Sequence, residues 1–238
     1  MQVRQGFKAR RLAAVLISLS MTAACAKDAP QETVPPAEAA RREAEPSARA
    51  GRPKIVFLGD SLTAGYGLDA ADAFPSILQQ RLRENGLDAE VVNAGVSGDT
   101  SAGGLRRVDW SLDAGVRVLV VALGGNDALR GLSTVELQRN LAAIIERARR
   151  RHVTVILAGM EAPPNLGHAY TAAFRRVYRD LAEQYGVTLV PFLLDGVAGN
   201  ASLNQADGIH PNPAGARKVA DLLWPYLERA VREAGRGD

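Results

Sequence analysis

The 238 residues include three histidines and one cysteine, so few side chains are available to move protons or attack an electrophile near neutral pH. Ser61 sits in Gly59-Asp60-Ser61-Leu62, directly after the apolar run 55–58. A serine attacks an acyl carbon when a base takes its proton and nearby donors receive the developing negative charge. His152 follows three arginines at the end of a helix-periodic stretch and reads as a surface or boundary residue. His168 falls in the Pro/Gly-containing segment 162–168, where it could touch a substrate. His210 lies in Asp207-Gly208-Ile209-His210-Pro211-Asn212 and has a carboxylate three residues upstream in a turn-rich segment. That spacing can set Asp207 against one imidazole nitrogen and leave the other for Ser61. Taken alone, each of these features has a plainer account: Asp60 or Ser61 caps a helix, Asp207 caps a turn, and His210 packs.

The elements that must position these residues are legible as alternating runs. Strand-like stretches at 55–58, 89–93, 116–123, 153–157 and 187–190 alternate with helix-periodic ones. Phe74, Ile77, Leu78 and Leu82 recur at helical spacing before Asn85-Gly86. A helix of one or two turns is expected near 105–112, and another over 170–185. Ser133 and Glu136 have capping-box spacing ahead of Leu137, Leu141, Ile144, Ile145 and Ala148. The run Arg149-Arg150-Arg151 reads as a solvated helix end, and Asn212-Pro213 opens a last helix. Five such strands predict a five-stranded parallel sheet covered on both faces, a three-layer α/β/α, flavodoxin-like domain. In a parallel sheet the loops after successive strands meet at one edge. The loops after the first three carry Ser61, Gly98 and Asn126, three groups able to donate to one oxygen. Turn chemistry explains any one of them; their joint occurrence is harder to explain that way.

Composition narrows the function classes. Residues 1–24 pair a basic start (Arg4, Lys8, Arg10, Arg11) with a short apolar core at 12–19, the pattern of a signal peptide rather than a membrane span. The segment Met21-Thr22-Ala23-Ala24-Cys25 resembles a bacterial lipoprotein box, in which Cys25 is lipidated, although Thr22 stands where leucine is usual. Ordinary cleavage after Ala26 also fits, and either route exports the protein to the periplasm or beyond, as an anchored lipoprotein or in soluble form. Residues 25–53 are rich in Ala, Glu, Pro and Arg and read as a disordered tether, leaving 54–238 as the folded domain. The four basic residues of the signal exceed the whole formal charge of +3, so the remainder carries −1 and nothing suggests nucleic-acid binding. With Cys25 the only cysteine, an intrachain disulfide and a thiolate metal cluster are both excluded.

Four segments, Gly59-Asp60-Ser61-Leu62, Val96-Ser97-Gly98-Asp99-Thr100, Gly124-Gly125-Asn126-Asp127 and Asp207-Gly208-Ile209-His210-Pro211, resemble the four signature blocks of the SGNH, or GDSL, hydrolase family. Within it the chain is most similar to the exported acyl-CoA thioesterase, lysophospholipase and arylesterase group. The resemblance spans about residues 54–227. It implies Ser61 as nucleophile, His210 as general base and acid, Asp207 as its orienting partner, and the Ser61 amide, Gly98 and Asn126 as oxyanion donors. It also likens Pro163-Pro164-Asn165-Leu166-Gly167 to a substrate-side loop and Ala128-Leu129-Arg130-Gly131 to a mobile loop. Leu129, Pro164, Asn165, Leu166 and Tyr170 are accordingly the expected substrate-binding residues, for an acyl ester or lysophospholipid, with no cofactor and no metal. A monomer is expected. Two alternatives remain: a carbohydrate O-deacetylase on the same fold, and a non-catalytic binding module on a tether. The Gly-x-Ser-x-Gly elbow of α/β-hydrolases is disfavoured because Thr63 replaces the second glycine, and a phosphate loop fails because no lysine follows Gly65.

Overall fold

The computed structural model describes residues 51–235, so the predicted signal, Cys25 and nearly all of the predicted tether lie outside the described residues. Five strands, β1 (Lys54–Gly59), β2 (Glu90–Gly95), β3 (Val116–Ala122), β4 (Thr154–Ala158) and β5 (Thr188–Val190), form one sheet in the order β2-β1-β3-β4-β5. Every pairing is parallel. The continuous apolar runs occupy the centre of the sheet: Ile55, Val56, Phe57 and Leu58 of β1 and Val118 to Ala122 of β3 are all but inaccessible. A parallel strand covered on both faces requires that pattern. The edge strand β2 is only half-buried.

The helices are α1 (Ser61–Ala64), α2 (Phe74–Glu84), α3 (Ser101–Ser111), α4 (Gly125–Leu129), α5 (Thr134–Arg149), α6 (His168–Tyr185) and α7 (Pro213–Ala234). From β1 the chain crosses outward to β2; from β2 it crosses the opposite way to β3, β4 and β5. Right-handed crossovers therefore put α2 on one face and α3, α5 and α6 on the other. Helix α7 packs on α2, and α5 packs between α3 and α6, completing the three layers. The direction of winding reverses between β1 and β3, where open α/β sheets bind ligands. No described helix is long and apolar enough to cross a membrane.

Four local readings change. Helix α3 runs three turns from Thr100, whose side chain caps Gly103 N, rather than one or two turns near 105–112. Gly103 and Gly104 are not loop formers here: a Cβ at Gly104 would overlap Leu123 at the end of β3, so the missing side chain lets helix and strand approach. The segment 162–168 folds partly into a 3-10 turn at Pro164–Leu166, and α6 starts at His168. The capping box at α5 is half closed. Ser133 Oγ accepts from Glu136 N at 3.5 Å, while the Glu136 carboxylate turns to Arg139. The arginines at the end of α5 are also not merely solvated, because Arg149 donates to Tyr185 O and Arg151 to Leu112 O, tying α5 to its neighbours.

Candidate active site

Strand β1 ends on Gly59 and hands directly into α1. Asp60 is the N-cap, its Oδ1 accepting from Leu62 N at 3.0 Å, and Ser61 is the first helical residue. The N–H of a first helical residue has no partner within its helix, and that of Ser61 has none among the described residues. Ser61 Oγ lies 2.9 Å from His210 Nε2, and His210 Nδ1 lies 2.7 Å from Asp207 Oδ2. The other oxygen of Asp207 accepts from Ile209 N at 2.9 Å and from His210 N at 3.0 Å. These bonds, led by the His210 amide and then its ring, lower the Asp207 carboxyl to about 2. Gln205 braces the segment: its N–H donates to His210 O, and its side chain donates to Tyr66 O and Pro211 O. The Tyr66 ring lies over the imidazole with centroids 4.8 Å apart.

Beside Ser61, the turn after β2 presents Gly98 at a φ of +81°, a conformation that glycine adopts without strain. Its N–H also has no partner among the described residues. Arg107 of α3 anchors this turn through Nε to Asp99 at 2.7 Å, Nη1 to Ala94 O at 2.6 Å and Nη2 to Gly59 O at 2.8 Å. The guanidinium thus gathers the ends of β1 and β2 with the loop between β2 and α3. After β3, Gly124 turns the chain at a φ of +115°, and a Cβ there would overlap the hydroxyl of the buried Tyr178, which donates to Leu123 O. The turn sets Asn126 in α4, where its Nδ2 donates to Asp60 Oδ2 at 3.2 Å. Burial of Asp60, 2% exposed, raises its carboxyl to about 6 against the lowering effect of these bonds. Ser61, Gly98, Asn126 and His210 all line one open cleft of about 640 Å³. A nucleophile with a base at one side and free N–H donors at the other is equipped for acyl transfer.

The model of the GDSL-like lipase/acylhydrolase family matches residues 57–218, a span that contains every group just described. The chain belongs to this family. It is 45% identical to esterase TesA of Pseudomonas aeruginosa over 175 residues, covering 73% of this chain and 87% of that protein. It is 35% identical to thioesterase 1/protease 1/lysophospholipase L1 of Escherichia coli over 178 residues, covering 74% of this chain and 84% of that one. A crystal structure of TesA superposes with a TM-score of 0.72 at 44% identity, covering 74% of this chain and 99% of that chain. The doubly covered parallel sheet is therefore the family's fold.

Of the five residues expected to bind substrate, Leu129 and Pro164 line the cleft; Asn165, Leu166 and Tyr170 do not. Asn165 and Leu166 lie in the 3-10 turn, and Tyr170 donates its hydroxyl to Leu132 O at 2.8 Å while its ring stacks on Phe174, a bracing role between α6 and the loop before α5. His168 is exposed at the start of α6 and also off the cleft, and His152 is an exposed residue with a φ of 57°. The cleft wall comes instead from Met160, Ala162 and Pro163 after β4, Phe192 and Leu194 after β5, and Ile209. Sequence reasoning missed Met160, Phe192 and Leu194, along with Tyr66, Gln205 and Arg107, whereas Pro163, Ile209 and Arg130 stand in segments that the resemblance had marked. A signal was present for Phe192 and Leu194, an apolar pair just past the carboxyl end of β5, the edge where ligands bind.

Proposed function

We propose that this carboxylic ester hydrolase is a serine esterase acting on acyl esters or thioesters through Ser61, His210 and Asp207. The observation that carries the reading is the hydrogen-bonded chain from Ser61 Oγ to His210 Nε2 at 2.9 Å and on from His210 Nδ1 to Asp207 at 2.7 Å, opening into an apolar cleft. Ser61 Oγ bonds to the acyl carbon as its proton passes to His210 Nε2. The carbonyl oxygen takes up the electron pair as an oxyanion facing the Ser61 and Gly98 amides and the Asn126 side chain. Collapse of that intermediate breaks the bond to the alcohol or thiol, which leaves with the proton from His210. A water molecule, deprotonated by the same nitrogen, then attacks the acyl-enzyme and frees the acid and Ser61. Asp207 remains a carboxylate throughout and stabilises the imidazolium, in keeping with its lowered pKa.

Leu129, Met160, Pro164, Phe192 and Leu194 make the cleft wall largely apolar, which suits a hydrocarbon acyl chain better than the hydroxyl-rich ring of an acetylated sugar. A relative named as a lysophospholipase fits the same chemistry. The test is active-site labelling with a fluorophosphonate. The unmutated protein is expected to label stoichiometrically, and Ser61→Ala to neither label nor hydrolyse p-nitrophenyl esters. Absence of labelling in the unmutated protein would favour a binding module. For the amino-terminal segment we propose export with lipidation at Cys25, supported by the small residues before it and the apolar core at 12–19. Radiolabelled palmitate should enter the unmutated chain in a bacterial host but not Cys25→Ala; equal incorporation in both excludes Cys25 as the anchor.

A further inference from the structure

The segment that closes α4 carries a cation with an unusual partner. Arg130 is the C-cap of α4, and its Nη2 donates to the carbonyl oxygen of Gly98 at 2.8 Å. Among the described ion pairs it has no carboxylate partner. The turn containing Gly98 is otherwise held at its two ends. Val96 N donates to Gly59 O, Asp99 N closes the turn onto Val96 O, and the Asp99 carboxylate is fixed by Arg107. Around Gly98 itself there is open space: a Cβ built there would find only Arg130 Nη2 within 4 Å, at 3.8 Å. The middle of the turn therefore depends on one guanidinium, delivered by the segment that ends α4.

The residue before that guanidinium faces the substrate cleft. Leu129 lines the cleft yet is 54% exposed, so apolar surface remains there for an acyl chain to cover. Gly131, at a φ of +62°, ends the helix directly afterwards. Taking Gly98 as an oxyanion donor, as proposed above, we propose that Arg130 is a positioning residue that latches the Leu129 loop onto Gly98. An acyl chain seated on Leu129 then orders the latch, and the latch holds the Gly98 amide where the oxyanion forms. Part of the binding energy of the chain is thereby expressed in the transition state rather than in the ground state.

The test compares kcat and KM for p-nitrophenyl acetate, too short to cover Leu129, and p-nitrophenyl octanoate, in the full-length protein and in Arg130→Met and Arg130→Lys. Arg130→Met keeps the side-chain length without the donor. It is expected to lose about tenfold more kcat on octanoate than on acetate, a fraction of the loss that follows removal of a whole oxyanion donor. KM for octanoate should stay within about threefold, because Leu129 is intact. Arg130→Lys should recover part of the kcat, since an ammonium can still donate to one carbonyl. A loss of the same factor on both esters, no loss on either, or a rise in KM alone overturns the latch. Ser61→Ala, run alongside, separates the two proposals: if it stays active the esterase mechanism itself fails, whereas if it is inactive and Arg130→Met matches the unmutated enzyme, only the latch fails.

Discussion

Two aspartates meet at Ser61 and are pushed in opposite directions. Asp207 is held low, to about 2, by amide and imidazole donors. Asp60, buried beneath the site, is raised to about 6. Asp60 accepts from Leu62 N with one oxygen and from Asn126 Nδ2 with the other, so its charge fixes which end of the Asn126 carboxamide faces the cleft. In Asp60→Asn, an amide that keeps its oxygen on Leu62 N points an NH2 at the Asn126 NH2. Relief comes from flipping Asn126, which turns a carbonyl toward the developing oxyanion. We expect kcat to fall about 100-fold, the scale for losing one oxyanion donor, with KM little changed. Stability should move the other way. The folded-state pKa of Asp60 lies above the ordinary carboxylate value, so its contribution to stability is full below about pH 4 and lost as pH rises through 6. Asp60→Asn removes that loss, and should gain on the order of 2–3 kcal/mol relative to the unmutated protein between pH 4 and pH 8. Urea unfolding at the two pH values measures it; a difference independent of pH would mean that Asp60 does not titrate in this range. The plainer account of the Asp60-Ser61 pair, a helix cap, is compatible with the proposed nucleophile, since Asp60 caps the helix and Ser61 is thereby left as its first residue, with a free amide.

At the scale of elements, the turn after β2 depends on Arg107, which no motif marks. Its three donors end on Asp99, Ala94 O and Gly59 O, and its side chain is 22% exposed. Arg107→Met leaves a carboxylate and two carbonyls without their partner. The expected cost is on the order of 2–4 kcal/mol, read as a lower urea midpoint, with a fall in kcat because the Gly98 turn loses its anchor. An unchanged midpoint would show that water satisfies those groups equally well. The strands were legible because a buried parallel strand must be a continuous apolar run, and their bounds in the structure differ from the expected ones by at most two residues. Helix α3 was read short because Gly103 and Gly104 resemble loop formers. What leaves no room for a Cβ is packing: Leu123, just past β3, at Gly104 and the Asp99 carboxylate at Gly103. The same holds for Asn165, Leu166 and Tyr170: sequence placed them near the site, but whether a side chain from a 3-10 turn or a first helical turn enters the cleft depends on what packs against it.

The whole molecule makes one site from pieces far apart in the chain, because the winding reverses between β1 and β3 and leaves their carboxyl ends side by side. Ser61 and Asn126 flank that point, while His210 returns from ahead of α7, 149 residues after Ser61. The loops after β4 and β5 then supply Met160, Pro163, Pro164, Phe192 and Leu194, so the cleft divides between the proposed Ser61–His210 pair and apolar surface. This division predicts how rate varies with acyl length. Each methylene that moves from water into the cleft contributes at most about 0.8 kcal/mol, or about fourfold in kcat/KM. Because the cleft is open, the gain per methylene should fall nearer to about twofold. In a series of p-nitrophenyl esters from acetate to dodecanoate, kcat/KM should climb over the first several methylenes and level off once the chain outgrows a cleft of about 640 Å³. Phe192→Ser, in the cleft wall past the carboxyl end of β5, should flatten that climb while leaving acetate turnover within about twofold, since its apolar surface serves the longer chains. A profile that peaks at acetate in the unmutated enzyme would point instead to a deacetylase, and would mean that the apolar wall holds something other than the acyl chain.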